Sequence, residues 1–186
     1  MRKSPDDLGG LHMGNEILRQ LRFDSQRGGL FYRDVRYLLI RPETLASFQR
    51  AIERALDEKG VQILFEAGFR GGTLSAEQYR EVLGLSDEET ARFMMNMGSQ
   101  IGWGRFEVEQ FNPPQKTIRV KVFHSPFAEA YGSSPRSVCH FIRGVMAGLG
   151  AVIFGEPVRS EEPLCLAKGD SFCLFEVEGA RATSSV

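Results

Sequence analysis

The longest stretch without a charge, residues 144–155, constrains the fold more than any other feature. It is far too short to cross a bilayer, which takes about 20 apolar residues. Helical spacing places Val138, Ile142, Val145, Leu149 and Val152 on one stripe and predicts a helix over about 135–154. A second side carries only Gly144, Ala147, Gly148 and Ala151, so a neighbouring backbone can approach it closely.

Around this helix the period changes. Residues 105–111 and 117–123 alternate and are joined through Asn112-Pro113-Pro114-Gln115, which reads as a hairpin. Residues 158–162 and 172–177 read as final strands about a Lys168-Gly169-Asp170 turn. Upstream, Pro42 opens a helix over 43–59 with Leu45, Phe48, Ile52 and Leu56 at helical spacing and Gly60 as its stop. A second helix is expected over 61–69, ended by Gly71-Gly72, and a short one near 76–83. Ser86, followed by Asp87, Glu88 and Glu89, supplies an N-cap and an acidic first turn for a helix running to about Ile101. Asp24 to Gly29 reads as a turn between extended pieces at 17–23 and 30–32, and 37–40 is an apolar run stopped by Pro42. The fold class is α+β, with helices packed on an antiparallel sheet.

Composition excludes several classes. The net charge is -1, with Lys and Arg scattered among Asp and Glu, so the basic footprint of a nucleic-acid binder is missing. Residues 1–10 are polar and lack the apolar core of a signal peptide. Three cysteines cannot pair completely among themselves. Reduced thiols in the cytoplasm are the natural reading, which leaves metal binding or plain burial.

Cys139 falls on the long helix, while Cys165 and Cys173 flank the final turn and Glu162 precedes Cys165 by three residues. Three thiolates and a carboxylate would fill the tetrahedron of a structural zinc ion and leave no place for an activated water. The spacing contains no C-x-x-C pair, so three buried reduced cysteines and a solvated Glu162 explain it as well.

A resemblance bears on that choice. Ser125-Pro126-Phe127-Ala128-Glu129-Ala130, Val138-Cys139-His140-Phe141, Gly144, Ala147-Gly148, Phe154-Gly155 and Cys165-x-x-x-Gly169-Asp170-x-x-Cys173 resemble the 4-vinyl reductase domain, and 60–72 with Gly98-Ser99-Gln100-Ile101 resemble the segment preceding it in sensors of aromatic compounds. The resemblance implies a zinc ion on Cys139, Glu162, Cys165 and Cys173, a fold like that of vesicle-tethering subunits, and a homodimer. It also implies a single domain over 16–178, with 16–111 as N-terminal segment and 112–178 as zinc-binding core, between a flexible 1–15 and a disordered 179–186 tail.

Family members bind small hydrophobic molecules, and the candidate ligand-binding residues here are Trp103, Phe106, His124, Phe127, Phe141 and Met146, with Phe65 and Met94 or Met97 behind them. Ordinary core packing is the competing account of each aromatic residue, and a surface position that of His124. Phenol-type sensors place a histidine near Gly102 and a tryptophan further on, whereas Trp103 is the sole tryptophan here. A phenol hydroxyl buried without a partner costs about 1–3 kcal/mol, so a larger or more apolar ligand is expected.

The resulting expectation is a stand-alone zinc-stabilised domain that binds a small hydrophobic molecule and acts as sensor or carrier through a partner protein. The alternatives are an accessory of tetrapyrrole vinyl reduction or photosystem assembly, and a ligand-free assembly subunit. Independent catalysis is not expected: no G-x-G-x-x-G follows a strand, and Gly68-x-x-Gly71-Gly72 ends a helix.

Overall fold

The structure is a computed structural model that describes residues 15–33 and 35–179. Of the flexible start expected over 1–15 and the tail expected over 179–186, all but Asn15 and Gly179 lie outside the described residues. The chain divides into two compact units after Leu38.

In the first unit, the Asn15 side chain accepts from the Leu18 amide at 3.0 Å and starts a short helix, α1 (Glu16–Gln20). The strands β1 (Leu21–Asp24), β2 (Gly29–Tyr32) and β3 (Val35–Tyr37) follow as an antiparallel meander. The expected turn is held by Asp24 Oδ1, which accepts from the Gln26 and Arg27 amides at 3.0 and 3.1 Å. The extended piece expected over 17–23 is helical in its first half, because the Asn15 cap satisfies a donor that helix formation would otherwise orphan. Of the 37–40 run only Tyr37 joins a strand, and Leu38, Leu39 and Ile40 are exposed.

The second unit holds α2 (Pro42–Leu56), α3 (Glu58–Leu83), α4 (Asp87–Gln100), β4 (Arg105–Asn112), β5 (Thr117–Phe123), α5 (Pro126–Tyr131), α6 (His140–Phe154), β6 (Val158–Leu164) and β7 (Cys173–Gly179). Its sheet runs β4-β5-β7-β6 with every pairing antiparallel. Alternation along β5 buries Ile118, Val120 and Val122, which stand opposite Val177, Phe175 and Cys173 of β7. This face packs in one cluster with Ile142, Val145, Leu149 and Ile153 of α6. The α+β class expected from the sequence is the class observed. Among the described residues no helix is long and apolar enough to cross a membrane.

The bare side of α6 meets α3 backbone to backbone. A Cβ on Gly144 would lie 2.1 Å from Phe65 O, and one on Gly148 2.3 Å from Phe69 O. From the other helix, a Cβ on Gly68 would lie 2.0 Å from Phe141 O and one on Gly72 2.3 Å from Val145 O. This contact corrects the reading of the second helix: α3 runs unbroken for 26 residues through the glycines expected to end it. Isolated glycines cost a helix roughly 1 kcal/mol each, and the close approach they permit offsets that cost.

Two further expectations change. The break after α2 falls at Asp57, with φ of 48°, and not at Gly60, which lies inside α3 where a Cβ would meet Ile52 O at 2.8 Å. The apolar stripe of α2 does not face the core either. Leu45, Phe48 and Leu56 are exposed, while Ala46, Gln49 and Glu53 are buried. Ser86 is the expected N-cap, and the structure adds a reciprocal bond that makes it a capping box with Glu89. Ser86→Ala is expected to lower stability by about 1 kcal/mol, measurable as a shift in the urea midpoint at unchanged slope.

Candidate metal centre and aromatic cluster

The β6–β7 hairpin carries three of the four candidate metal ligands. Glu162 lies within β6, Cys165 immediately follows it, and Cys173 opens β7. A 3-10 turn over Leu166–Lys168 closes the hairpin, and Asp170 fixes it by accepting from the Cys165 amide through Oδ2 at 2.8 Å. Cys139 comes from elsewhere in the chain. It is the N-cap of α6 and so stands just before that helix, not within it as the periodicity suggests.

The four residues are buried, and their ligand atoms all lie within 4.8 Å of one another. Cys139 Sγ is 3.8 Å from Cys173 Sγ, which is 4.0 Å from Cys165 Sγ. All three cysteines are free thiols. Glu162 Oε2 accepts from the Cys139 amide at 2.9 Å, and Oε1 is buried with no hydrogen-bond partner among the described residues.

The electrostatics of this set are compatible with a cation. Burial pushes Glu162 up to about 8, and the Cys165 sulfur beside it adds to the shift. Cys139 is held well above the usual thiol range, since it donates toward Cys165 and Cys173 and is buried. Cys165 lies well below that range because the other two sulfurs donate to it. Only one of the four groups is readily ionised in such a cluster, because each further negative charge is repelled and desolvated. A divalent cation lets all four ionise together. Two sulfurs bound at about 2.3 Å to one tetrahedral centre stand about 3.8 Å apart, close to the spacings found. The donor set fits a zinc ion.

A second cluster is aromatic. The ring of Trp103 lies 5.6 Å from that of Phe127 and 5.9 Å from that of Phe141, both edge-on, and Phe127 stacks on Phe141 at 6.3 Å. The three rings are half-buried against the main core, as is Phe106, while Met146 is fully inside it. His124 does not join them: its side chain is exposed, with Nδ1 3.6 Å from Glu129. Met94 and Met97 are buried on α4, and Phe65 stacks on Phe69 along α3. Gly102 has φ of +88°, is exposed, and has nothing within 4 Å of where a Cβ would stand. Its lack of a side chain therefore opens no interior space.

The sequence reading missed two polar features. Thr90 on α4 is fully buried with its hydroxyl unpartnered among the described residues, and nothing in the sequence marks it. Gln49 and Glu53 form a buried network with Tyr131 beside His140; their spacing of four on α2 was the available signal. Burial, with help from Arg143, lowers His140 to about 4, so at neutral pH its 3.5 Å contact with Glu53 is not an ion pair.

A glycine-lined helix pair on a four-stranded antiparallel sheet, with three cysteines and a glutamate gathered at its last hairpin, defines a protein of the 4-vinyl reductase domain type. That domain matches residues 118–179. A second family, activator of aromatic catabolism, matches residues 16–113, more than half of the chain. The chain belongs to this family of aromatic-catabolism activators. It is 24% identical over 170 residues to the phenol regulator MopR of Acinetobacter guillouiae, covering 85% of this chain and 30% of the regulator. The chain thus spans under a third of that relative's length. The phenol-responsive sensory domain of the transcription activator PoxR, solved with phenol, superposes with a TM-score of 0.76 at 18% identity, covering 88% of this chain and 86% of that one. A trafficking protein particle complex subunit 3 from Naegleria fowleri, covalently bound to palmitic acid, gives 0.55 at 16% identity, covering 75% and 95%. At these identities the two structures establish the fold.

Proposed function

We propose that the chain is a sensor domain that holds a small aromatic molecule in its interior, is stapled by a structural zinc ion, and passes its signal through a partner protein. The observation that carries this reading is the ring trio Trp103, Phe127 and Phe141, in a chain of the aromatic-catabolism activator family. Edge-on and stacked rings at these distances welcome another ring, because the positive edge of one faces the negative face of the next. MopR is named a phenol regulator and the PoxR domain is phenol-responsive, which supports a single-ring ligand.

Cys139, Glu162, Cys165 and Cys173 would hold the zinc. When bound, it supplies a closed cross-link and no open position for catalysis. The protein's own part is to bring the α6 N-cap against the β6–β7 hairpin.

Because Trp103 is the sole tryptophan, its fluorescence reports on the trio directly. Titration with toluene and with phenol is expected to give a saturable change. Phe141→Ala should weaken binding about tenfold or more, given the apolar area withdrawn from the ring. If the folded protein shows no saturable response to either compound, the sensor reading is lost. The second reading, an assembly subunit without ligand, draws on the exposed Leu45, Phe48 and Leu56 of α2. It predicts self-association in sedimentation that no ring compound alters.

A further inference from the structure

Cys139 reaches the metal centre by a different route from the other three donors. It ends an irregular segment, 132–139, between α5 and α6. Whatever sets that segment decides whether this thiol stands in place.

α2 grips both ends of it. Gln49 Nε2 donates to Val138 O at 2.7 Å, one residue before Cys139. The same nitrogen lies 2.8 Å from Glu53 Oε1, and Glu53 Oε2 accepts the Tyr131 hydroxyl at 2.6 Å, just ahead of the segment. Arg50 adds a donor to Tyr131 O at 2.8 Å and lies 5.5 Å from the centroid of the tyrosine ring. From Val138 the connection continues through the Cys139 amide to Glu162 Oε2. Gln49 and Glu53 are each 7% exposed, while Phe48 of the same helix is 61% exposed. Turning an amide and a carboxylate inward and a phenylalanine outward costs free energy unless the buried groups are bonded. Their bonds are to this segment and to each other.

We infer that Gln49 and Glu53 are positioning residues for Cys139, so that α2 governs how firmly the metal ion is held. The inference rests on the metal reading of the cluster of three cysteines and Glu162. Without the α2 grip the segment keeps its ties to the hairpin, where Ser137 Oγ donates to Glu162 O at 2.6 Å and the Ser134 amide to Ala167 O at 2.8 Å. A variant at Gln49 should therefore fold, with Cys139 less well placed.

The test loads the full chain with Co2+, whose sulfur-to-metal charge-transfer absorption grows with the number of bound thiolates, and separately times Zn2+ transfer to a chelator. Gln49→Met should lower the charge-transfer band and release zinc about tenfold faster, the lower end of what is lost when groups supporting a metal ligand are removed. Tyr131→Phe, which deletes one hydroxyl, should shift both readings the same way by a smaller factor. Glu53→Gln can turn its amide oxygen to Gln49 Nε2 and donate its NH2 to the Tyr131 hydroxyl oxygen, which can accept, and should stay near wild type. Ser86→Ala weakens a helix cap away from the centre and should leave both readings unchanged. The inference is overturned if Gln49→Met and Tyr131→Phe match wild type, or if Ser86→Ala releases zinc as fast as Gln49→Met. A wild-type chain that takes up neither Co2+ nor Zn2+ removes the metal reading itself and this inference with it.

Discussion

Cys165→Ser is expected to abolish zinc binding and lower the melting temperature by about 8–16 °C. The size follows from linkage: a metal present at about a thousand times its dissociation constant stabilises the folded state by about 4 kcal/mol. For a chain of this length, each kcal/mol moves the midpoint by about 2–4 °C. Cys165 suits the experiment because it is fully buried and its sulfur lies 4.0 Å from that of Cys173. A serine there loses the soft donor while adding little change in volume. Zinc content by mass spectrometry and the melting temperature, each read with and without chelator, separate the metal effect from simple repacking. Chelator should lower wild type toward the variant and leave the variant where it was. A variant that keeps one zinc per chain and an unchanged midpoint would show that this sulfur is not a ligand.

Gly68→Ala should destabilise the protein by about 3 kcal/mol, while Gly71→Ala three residues on should stabilise it by about 0.5–1 kcal/mol. Both glycines are interior to α3, and alanine is the better helix former at each. The tertiary contact sets their signs apart. A methyl at Gly68 would lie 2.0 Å from Phe141 O, a backbone atom that moves only if α6 moves, whereas Gly71 has nothing within 4 Å. Urea unfolding of the two variants at matched slopes measures the difference. Equal stabilisation of both would mean that the helices are not in backbone contact and that the packing of α3 on α6 is wrong.

Much of this architecture is legible in the sequence. The β4–β5 alternation, the Ser86 N-cap and the bare side of α6 all appear where expected, because each is a local pattern in which side-chain period or cap chemistry dictates the backbone. The short α5 was not anticipated. Its first position is Pro126 and it runs only six residues, too few for a periodic signal. The candidate metal-ligand set could be listed from its residue types, but only family likeness favoured it over plain burial, since no spacing links Cys139 to a hairpin beginning some twenty residues later.

The sequence alone determined the class of the chain: an aliphatic helix with one bare side, alternating strands to pack it on, and an odd number of cysteines that cannot all pair among themselves. Tertiary structure decided which glycines are breaks and which are contacts, since a helix continues through Gly68 and Gly72 only when another backbone fills the space they leave. It also decided which face of α2 is inside. Helical period marks Leu45, Phe48, Ile52 and Leu56 as a stripe, yet Gln49 and Glu53 turn inward because their hydrogen-bond partners lie about eighty to ninety residues further along the chain. Periodicity records what a helix can bury, and only the fold supplies the partners that make burying a polar face worthwhile.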